Sequence, residues 1–479
     1  MSHILRPLPM LMRSDSKGTE DFVGQAPDYG RTFPMYVPAI DWYFLSDDSH
    51  EYPMSFFLEL EFSGTIDREK FDVALKQAIF RHPLLMSIIQ PGKHDLPCWT
   101  LAPDQMPQVC WGKIGEPIGV EGKAYERAAL DSDGDFIDIQ KTPGLRIWAR
   151  ETVGSVRMTL QFHHSACDGT GAYRFVGDLL ACYMQQLPSC DGKVELGDFD
   201  PSQLKVRASK MRSIRINDSE WRKLKVALKE AWMHVGTRVT PLKKPDAQPE
   251  CKTLPGMVQH EFSAEDLAVM RHEATDQGAT LNDWFLCKMF QAARDWNGSY
   301  RSGGKLRLLV PADMRDGNDF EMPACNMTAC TFITRRAAEI DDQTTLLESI
   351  RHDTLAIKKG IPQRAFVNAI TSAMQGSLLP WIMNRNKCMA TAVVSNAGDP
   401  SRRFTCKLPK QRGKVHCDEF TLESITGVPP LRRHTRSTLS VSTYGRKLVV
   451  SMRCDPYLFT RDDSQQLLDR FCKRLQPSK

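Results

Sequence analysis

Two adjacent histidines, His163 and His164, precede Asp168-Gly169, with three residues between His164 and the aspartate. A neutral imidazole, whose unperturbed pKa is about 6.5, can act as a general base toward a hydroxyl, an amine or a thiol. A metal centre is the competing chemistry. Adjacent residues of a strand face opposite ways, so His163 and His164 cannot both ligate one ion. Neither His-x-x-x-His nor Cys-x-x-Cys occurs elsewhere in the chain. No metal is expected. A hydrogen-bonded core histidine without chemistry is the bland alternative, and it fits a lone histidine better than this cluster.

The neighbouring elements decide what the cluster can do. Ser155-Val156-Arg157-Met158-Thr159-Leu160-Gln161-Phe162 alternates, with Val156, Met158, Leu160 and Phe162 on one face, as a half-buried strand requires. Continued, the alternation sends His164 to the apolar face and His163 to the other. Asp168-Gly169 signals a turn in which Gly169 takes a positive φ. Tyr173, Val176, Leu179, Leu180, Tyr183, Met184 and Leu187 then recur at three and four, predicting a helix. A histidine is thus delivered at a strand end, just before a tight turn into a helix.

His163-His164-x-x-x-Asp168-Gly169 resembles the signature of the acyltransferase superfamily that includes chloramphenicol acetyltransferase, peptide-synthetase condensation domains, plant acyl-CoA-dependent acyltransferases and wax ester synthases. Three more pieces occur in that superfamily's order: Arg81-His82-Pro83, Val310-Pro311 with Arg315, and Val394-Ser395-Asn396. Together the pieces span roughly residues 40–460. The Ser-Asn turn is most similar to wax ester synthases and related alcohol acyltransferases. The Asp-Phe-Gly-Trp-Gly segment of the plant branch is absent.

The resemblance implies an α/β fold of two chloramphenicol-acetyltransferase-like subdomains, a pseudo-dimer with a tunnel between them and His164 midway along it. It implies transfer of an acyl group from a thioester to a hydroxyl or amine on a small-molecule or lipid acceptor. Acyl-coenzyme A or an acyl carrier protein would be the co-substrate, with no bound cofactor. His164 would be the base. His163, Asp168 and Gly169 would be structural, with Asp168 paired to Arg315 of the other half through two parallel hydrogen bonds. Ser395 and Asn396 are candidates to hold the oxyanion. A carrier-dependent condensation-type domain and a non-catalytic binding module of the same fold are the alternatives.

Length and composition bound the rest. The 479 residues suit two or three domain-sized units, and 41% hydrophobic with 25% charged residues is ordinary for a soluble globular protein. No apolar run nears the ~20 residues of a membrane span, and the N-terminus lacks the apolar core of a signal peptide. Fourteen cysteines without paired spacing fit reduced thiols in a cytoplasm. A net charge of +5 implies no nucleic-acid partner. A cytoplasmic monomer is expected.

Along the chain, residues 1–30 read as a mobile tail, 31–190 as the motif-bearing subdomain, 191–255 as a basic crossover, and 256–479 as the second subdomain. Order is expected from about Tyr36. Asp67, Ser263 with Asp266, Thr280 with Asp283, and Thr460 with Asp463 mark helix starts. Arg81-His82-Pro83 reads as a helix terminus. Residues 55–62, 305–311, 327–333 and 391–394 read as strands, 439–452 as a hairpin, and 345–359 and 364–384 as helices. In the crossover, residues 221–234 read as a solvated basic helix. Contact with a membrane surface, an acidic carrier or coenzyme A phosphates is the functional alternative.

Overall fold

The computed structural model describes residues 29–476 except 31, 94–95, 117, 119–135, 213–237, 248–254, 301–303, 377–378 and 380–386. The first half runs through β1 (Met35–Tyr36), α1 (Ala39–Asp47), β2 (Ser55–Gly64), α2 (Arg68–Arg81), β3 (Ser87–Pro91), β4 (Pro97–Leu101) and β5 (Val109–Lys113). It ends with a hairpin, β6 (Leu145–Thr152) and β7 (Ser155–His163), and the helix α3 (Gly169–Met184). The crossover holds α4 (Gln203–Arg212). The second half begins β8 (Met257–Phe262), α5 (Ala264–Asp276), α6 (Leu281–Asn297), β9 (Lys305–Asp313), β10 (Thr328–Arg336), α7 (Gln343–Lys358) and α8 (Ile361–Gln375). It continues β11 (Ala392–Gly398), β12 (Lys410–Gln411), β13 (Lys414–Val415), β14 (Phe420–Val428), β15 (Ser437–Tyr444), β16 (Lys447–Cys454) and α9 (Arg461–Leu475).

Two large sheets result, in the orders β14-β2-β7-β6-β5 and β10-β9-β11-β15-β16-β8. Helices start where the side chains dictate. Asp67 accepts from the Lys70 N–H, and Ser263–Asp266, Thr280–Asp283 and Thr460–Asp463 form reciprocal capping boxes. Each cap satisfies N–H groups that a helix start leaves open, worth about 1 kcal/mol apiece.

Val156, Met158, Leu160 and Phe162 of β7 share one core with Phe71, Leu75 and Ile79 of α2 and Phe175, Val176 and Leu179 of α3. The opposite face of β7 differs from expectation. Only Arg157 is exposed there, whereas Thr159, Gln161 and His163 are buried. Phe57 and Trp148, cross-strand neighbours of Gln161 and Thr159, pack against Met257 and Val428 of the second half. A central strand covered on both faces has no solvated side to mark its polarity.

Three expectations need correction. The strand β14 lies beyond the crossover in sequence yet pairs antiparallel with β2, so a cut near residue 255 does not separate the sheets. Its register shifts between Leu422 and Ser424, which breaks the period-two pattern that would have revealed it. It covers the edge that β2 would otherwise expose. The packed chain also starts before Tyr36: Tyr29 is buried and its hydroxyl donates to the Phe80 carbonyl at 2.7 Å. The helix expected from 364 begins earlier, as Ile361–Gln375 entered through Gly360 at φ +72°, and the rest of the expected span to 384 lies mostly outside the described residues.

The basic crossover is not uniformly solvated. Arg207 is fully buried and ion-paired with Asp41 of α1, and its guanidinium meets the Asn326 carbonyl at 3.5 Å. The basic stretch 221–234 lies outside the described residues. Among the described residues no helix is long and apolar enough to cross a membrane.

Candidate active site

The motif begins where β7 stops. The His163 N–H donates to the Gly144 carbonyl at 2.8 Å and the His164 N–H to the Met54 carbonyl at 2.7 Å, so both neighbouring segments hold the turn. His163 is buried. Its Nδ1 accepts from the Ser165 N–H at 3.1 Å, which leaves Nε2 to face the Asp48 carboxylate at 3.3 Å. Both ring nitrogens are therefore engaged in holding the loop.

His164 lies one residue past the strand end, in an aromatic slot. Its ring stacks on Phe44 of α1 with centroids 3.9 Å apart and an interplanar angle of 8°. Phe56 of β2 meets it edge-on at 5.3 Å. Burial pushes the imidazole pKa down to about 4; the negative charge of Asp168 and the residue's own carbonyl oppose this, and His163 adds to it. Nδ1 is buried without a hydrogen-bond partner. From the other half of the chain, the Asn326 amide donates to the His164 carbonyl at 2.9 Å.

Asp168 points away from His164 and into the junction of the halves. Oδ1 accepts from the Gly171 N–H at 2.8 Å and so caps α3. Oδ2 accepts from Arg315 at 2.8 Å, from the Met327 N–H at 2.7 Å and from the Thr328 hydroxyl at 3.1 Å. Burial alone would raise its pKa, but the Arg315 charge and these hydrogen bonds hold it below the usual carboxylate value. Arg315 reaches Asp168 with one nitrogen only. The same nitrogen meets Asp313 at 3.0 Å, and the other donates to the Cys325 carbonyl at 2.8 Å. The expected two-bond fork is absent because the second carboxylate oxygen is committed to the helix cap.

Gly169 opens α3 without a positive φ, and a Cβ there would meet nothing within 4 Å. The cap by Asp168 turns the chain, so no left-handed residue is needed. The constrained glycine is Gly171, where a Cβ would stand 2.8 Å from the Cys325 carbonyl oxygen.

Ser395 and Asn396 lie in β11. Asn396 is exposed; its amide donates to Asn282 at 3.2 Å and its oxygen accepts from the Gly398 N–H at 3.0 Å. Arg81 and His82 join the core framework: Asp178 of α3 binds both, at 2.6 and 3.3 Å, and His82 Nδ1 accepts from the Ala324 N–H at 2.8 Å. Phe44, Asp48 and Phe56 come from segments over a hundred residues upstream, with no sequence pattern that ties them to His164, whereas Asn326 is an asparagine downstream of Val310-Pro311 and Arg315.

No family model matches the sequence. Two curated proteins described as uncharacterized, from Mycobacterium tuberculosis strains H37Rv and CDC 1551, are each 31% identical to it over 157 residues, 32% of this chain and 34% of theirs. The chain thus matches about a third of the length of these relatives. Among solved structures it is similar to trichothecene 15-O-acetyltransferase from Fusarium sporotrichioides, with a TM-score of 0.64 at 12% identity over 92% of this chain and 93% of that one. The starter condensation domain of rhizomide synthetase, in complex with C8-CoA and Leu-SNAC, aligns with a TM-score of 0.60 at 14% identity over 92% and 94%. The epimerization domain of tyrocidine synthetase B aligns with a TM-score of 0.59 at 14% identity over 92% and 95%. The chain has the two-subdomain α/β fold that condensation domains share with chloramphenicol-acetyltransferase-like acyltransferases.

Proposed function

We propose that this chain is an acyltransferase that moves an acyl group from a thioester, with acyl-coenzyme A as donor, to a hydroxyl or amine acceptor. His164 is the general base. The observation that carries this reading is the setting of its ring, stacked on Phe44 in a half-buried slot whose desolvation lowers its pKa to about 4. A base must be unprotonated when the acceptor arrives, and this imidazole is so throughout the physiological range.

With the proton of the neutral ring on Nδ1, Nε2 carries the free lone pair. The acceptor's oxygen or nitrogen attacks the thioester carbonyl while its proton passes to Nε2. The tetrahedral intermediate then breaks its C–S bond, and the departing thiolate takes the proton from the imidazolium. No acyl-enzyme forms. Asp168 does not touch the ring, but its negative charge favours the imidazolium as it develops. Base catalysis of this kind is worth about 10²–10⁴ in rate. The Ser395 hydroxyl is the better oxyanion candidate, since the Asn396 amide is already donated to Asn282. Asp168, Arg315 and Asn326 hold the loop against the second half, and His163 fixes it to Asp48.

The donor class is supported by the rhizomide synthetase domain, solved with C8-CoA, and by an acetyltransferase of the same fold. The free thiols of the described cysteines fit a reducing compartment. The test is a panel of acyl-coenzyme A thioesters with alcohols and amines, following free thiol. Acceptor-dependent release that His164→Ala abolishes supports the reading. Turnover with carrier-bound acyl groups alone assigns the condensation-type alternative, and binding without turnover assigns the non-catalytic one.

A further inference from the structure

At the far end of α3 from the motif turn, the chain meets the segment between β13 and β14. Cys190 closes the short turn Pro188–Cys190 just after α3, and Cys417 and Glu419 lie between β13 and β14. The two Sγ atoms and a Glu419 carboxylate oxygen lie within 4.8 Å of one another. Both cysteines are buried in the apolar core that also holds Phe420 and Leu422. We propose that Cys190, Cys417 and Glu419 bind a zinc ion that ties the motif helix to the strand crossing over from the second half.

The donor set suits zinc: two soft thiolates with one carboxylate, leaving a fourth tetrahedral position for water. Zn–S bonds of about 2.3 Å and Zn–O bonds of about 2.0 Å set ligand atoms about 3.5–3.8 Å apart. The observed cluster reaches that spacing with side-chain shifts of about 1 Å. Fixed backbone presents the ligands. The Cys417 N–H donates to the Phe420 carbonyl at 3.0 Å, the Cys190 carbonyl accepts from Lys193 at 3.0 Å, and the Glu419 carbonyl accepts from Thr65 at 2.9 Å. Gly64 permits that last approach, since a Cβ there would stand 2.2 Å from the Glu419 carbonyl oxygen.

The surroundings are those of a metal ligand set. The Ser189 hydroxyl donates to the Glu419 carboxylate and orients it, as an outer-shell hydrogen bond does in zinc sites. The Cys417 thiol also donates to that carboxylate, and the metal would replace this proton. Two thiolates and a carboxylate on Zn²⁺ sum to one negative charge. Lys70 acts on Glu419, and Lys193 Nζ lies 2.8 Å from the Ser189 carbonyl, so cations are at hand to balance it. Binding is a ligand exchange: two S–H bonds give way to two S–Zn bonds, two protons leave to solvent, and no electrons move. A disulfide between the cysteines would leave the carboxylate and its serine without a role.

The full chain, reduced and metal-free, should be titrated with Co²⁺ as a spectroscopic stand-in. One equivalent should produce thiolate-to-metal charge transfer in the near ultraviolet and the visible bands of a four-coordinate ion, and Zn²⁺ should bleach both. Cys190→Ser and Cys417→Ser should each abolish the charge transfer, Ser189→Ala should weaken affinity about tenfold, and Cys110→Ser should change nothing. Because a core cysteine variant can fail to fold, alkylation of the unaltered protein gives a second reading. In mild urea, where local opening exposes buried thiols, zinc should slow alkylation of Cys190 and Cys417 relative to the metal-free protein, located by mass spectrometry. No cobalt spectrum, a spectrum that survives both cysteine variants, or zinc that leaves these two thiols unprotected overturns the proposal.

Discussion

One supersecondary unit is built twice in this chain, and only one copy ends in a histidine. In the first half β2 leads into α2, and the hairpin β6–β7 leads into α3; in the second, β8 leads into α5, and β15–β16 leads into α9. In both, the first strand pairs antiparallel with the last strand of the hairpin. Each turn between hairpin and helix begins or ends in a buried aspartate: Asp168 caps α3, and Asp455 follows β16. Each aspartate also reaches the opposite half, Asp168 through Arg315 and Asp455 through the Tyr52 hydroxyl at 3.2 Å. The environments then diverge. Arg315 holds the Asp168 pKa down against burial, while burial raises that of Asp455. A strand end and a helix start therefore do not make a site. In the reading proposed above, the first copy becomes one because its slot desolvates the histidine, lowering its pKa, and a cation fixes its carboxylate away from that histidine.

The contrast breaks first at His164. His164→Ala should keep the fold, since it removes a ring that makes no hydrogen bond to another residue, and should lower acceptor-dependent kcat/KM by about 10²–10⁴. His163→Ala should instead lower the Tm, having removed the links to Asp48 and Ser165. Activity that survives His164→Ala and dies in a well-folded His163→Ala would reverse the two roles.

Next in size is the clamp. Arg315→Met strands the Asp168 carboxylate in a buried site, and breaking such a pair from one side costs about 3–5 kcal/mol. Urea titration should show that loss, and Asp168→Asn should come close to it. A loss of unfolding free energy below about 1 kcal/mol would mean the halves hold together without this pair.

The pH profile sharpens the same contrast. With a folded-state pKa of about 4 for His164, kcat/KM should stay level as pH falls through the range where a free histidine titrates. It should lose about tenfold per pH unit only below that value. The linkage has a definite sign. The unfolded ring, at about 6.5, binds more protons than the folded one between the two pKa values, so stability falls as pH drops through that window. An acid limb near 6.5 would show that the slot leaves the ring solvated. Asn326→Ala is the milder probe. It leaves the His164 carbonyl without its donor, costs about 1–3 kcal/mol of stability, and should lower kcat with KM unchanged.

Local rules made much of this legible and tertiary geometry hid the rest. Ser263, Thr280 and Thr460 each precede a carboxylate at the third position, and each forms a capping box. The alternation through β7 gave the apolar face, because Val156 to Phe162 pack on α2 and α3. The aromatic slot was not legible, since Phe44 and Phe56 come from elements over a hundred residues upstream with no period that ties them to His164. The bulge in β14 concealed the strand that joins the halves. Gly169 and the Arg315 fork were misjudged for one shared reason: Asp168 spends an oxygen on the helix cap, which sharpens the turn and leaves Arg315 a single contact.

The smallest effect, and the closest test of the contrast, is at Asp455. Asp455→Asn can keep Oδ1, which accepts from the Tyr457 N–H at 3.0 Å and from the Tyr52 hydroxyl at 3.4 Å, and replaces Oδ2, which accepts from the same hydroxyl at 3.2 Å, with an amide nitrogen. It removes a charge that the site disfavours. Burial is the largest influence raising the Asp455 pKa, and those hydrogen bonds with the charges of Arg436 and Arg453 offset it in part. A carboxyl whose folded pKa is raised weakens the folded state once pH climbs past its unfolded value, because ionisation is harder in place than in solution. The neutral amide escapes that penalty. Asp455→Asn should therefore stay within about 1 kcal/mol of the unaltered protein at pH 7, on the neutral or stabilising side, with turnover intact. Any advantage of the variant should shrink as pH is lowered and the aspartate itself becomes neutral. A loss as large as that of Asp168→Asn, at the same pH and in the same urea titration, would make the second turn a charge clamp like the first and dissolve the distinction between the two ends.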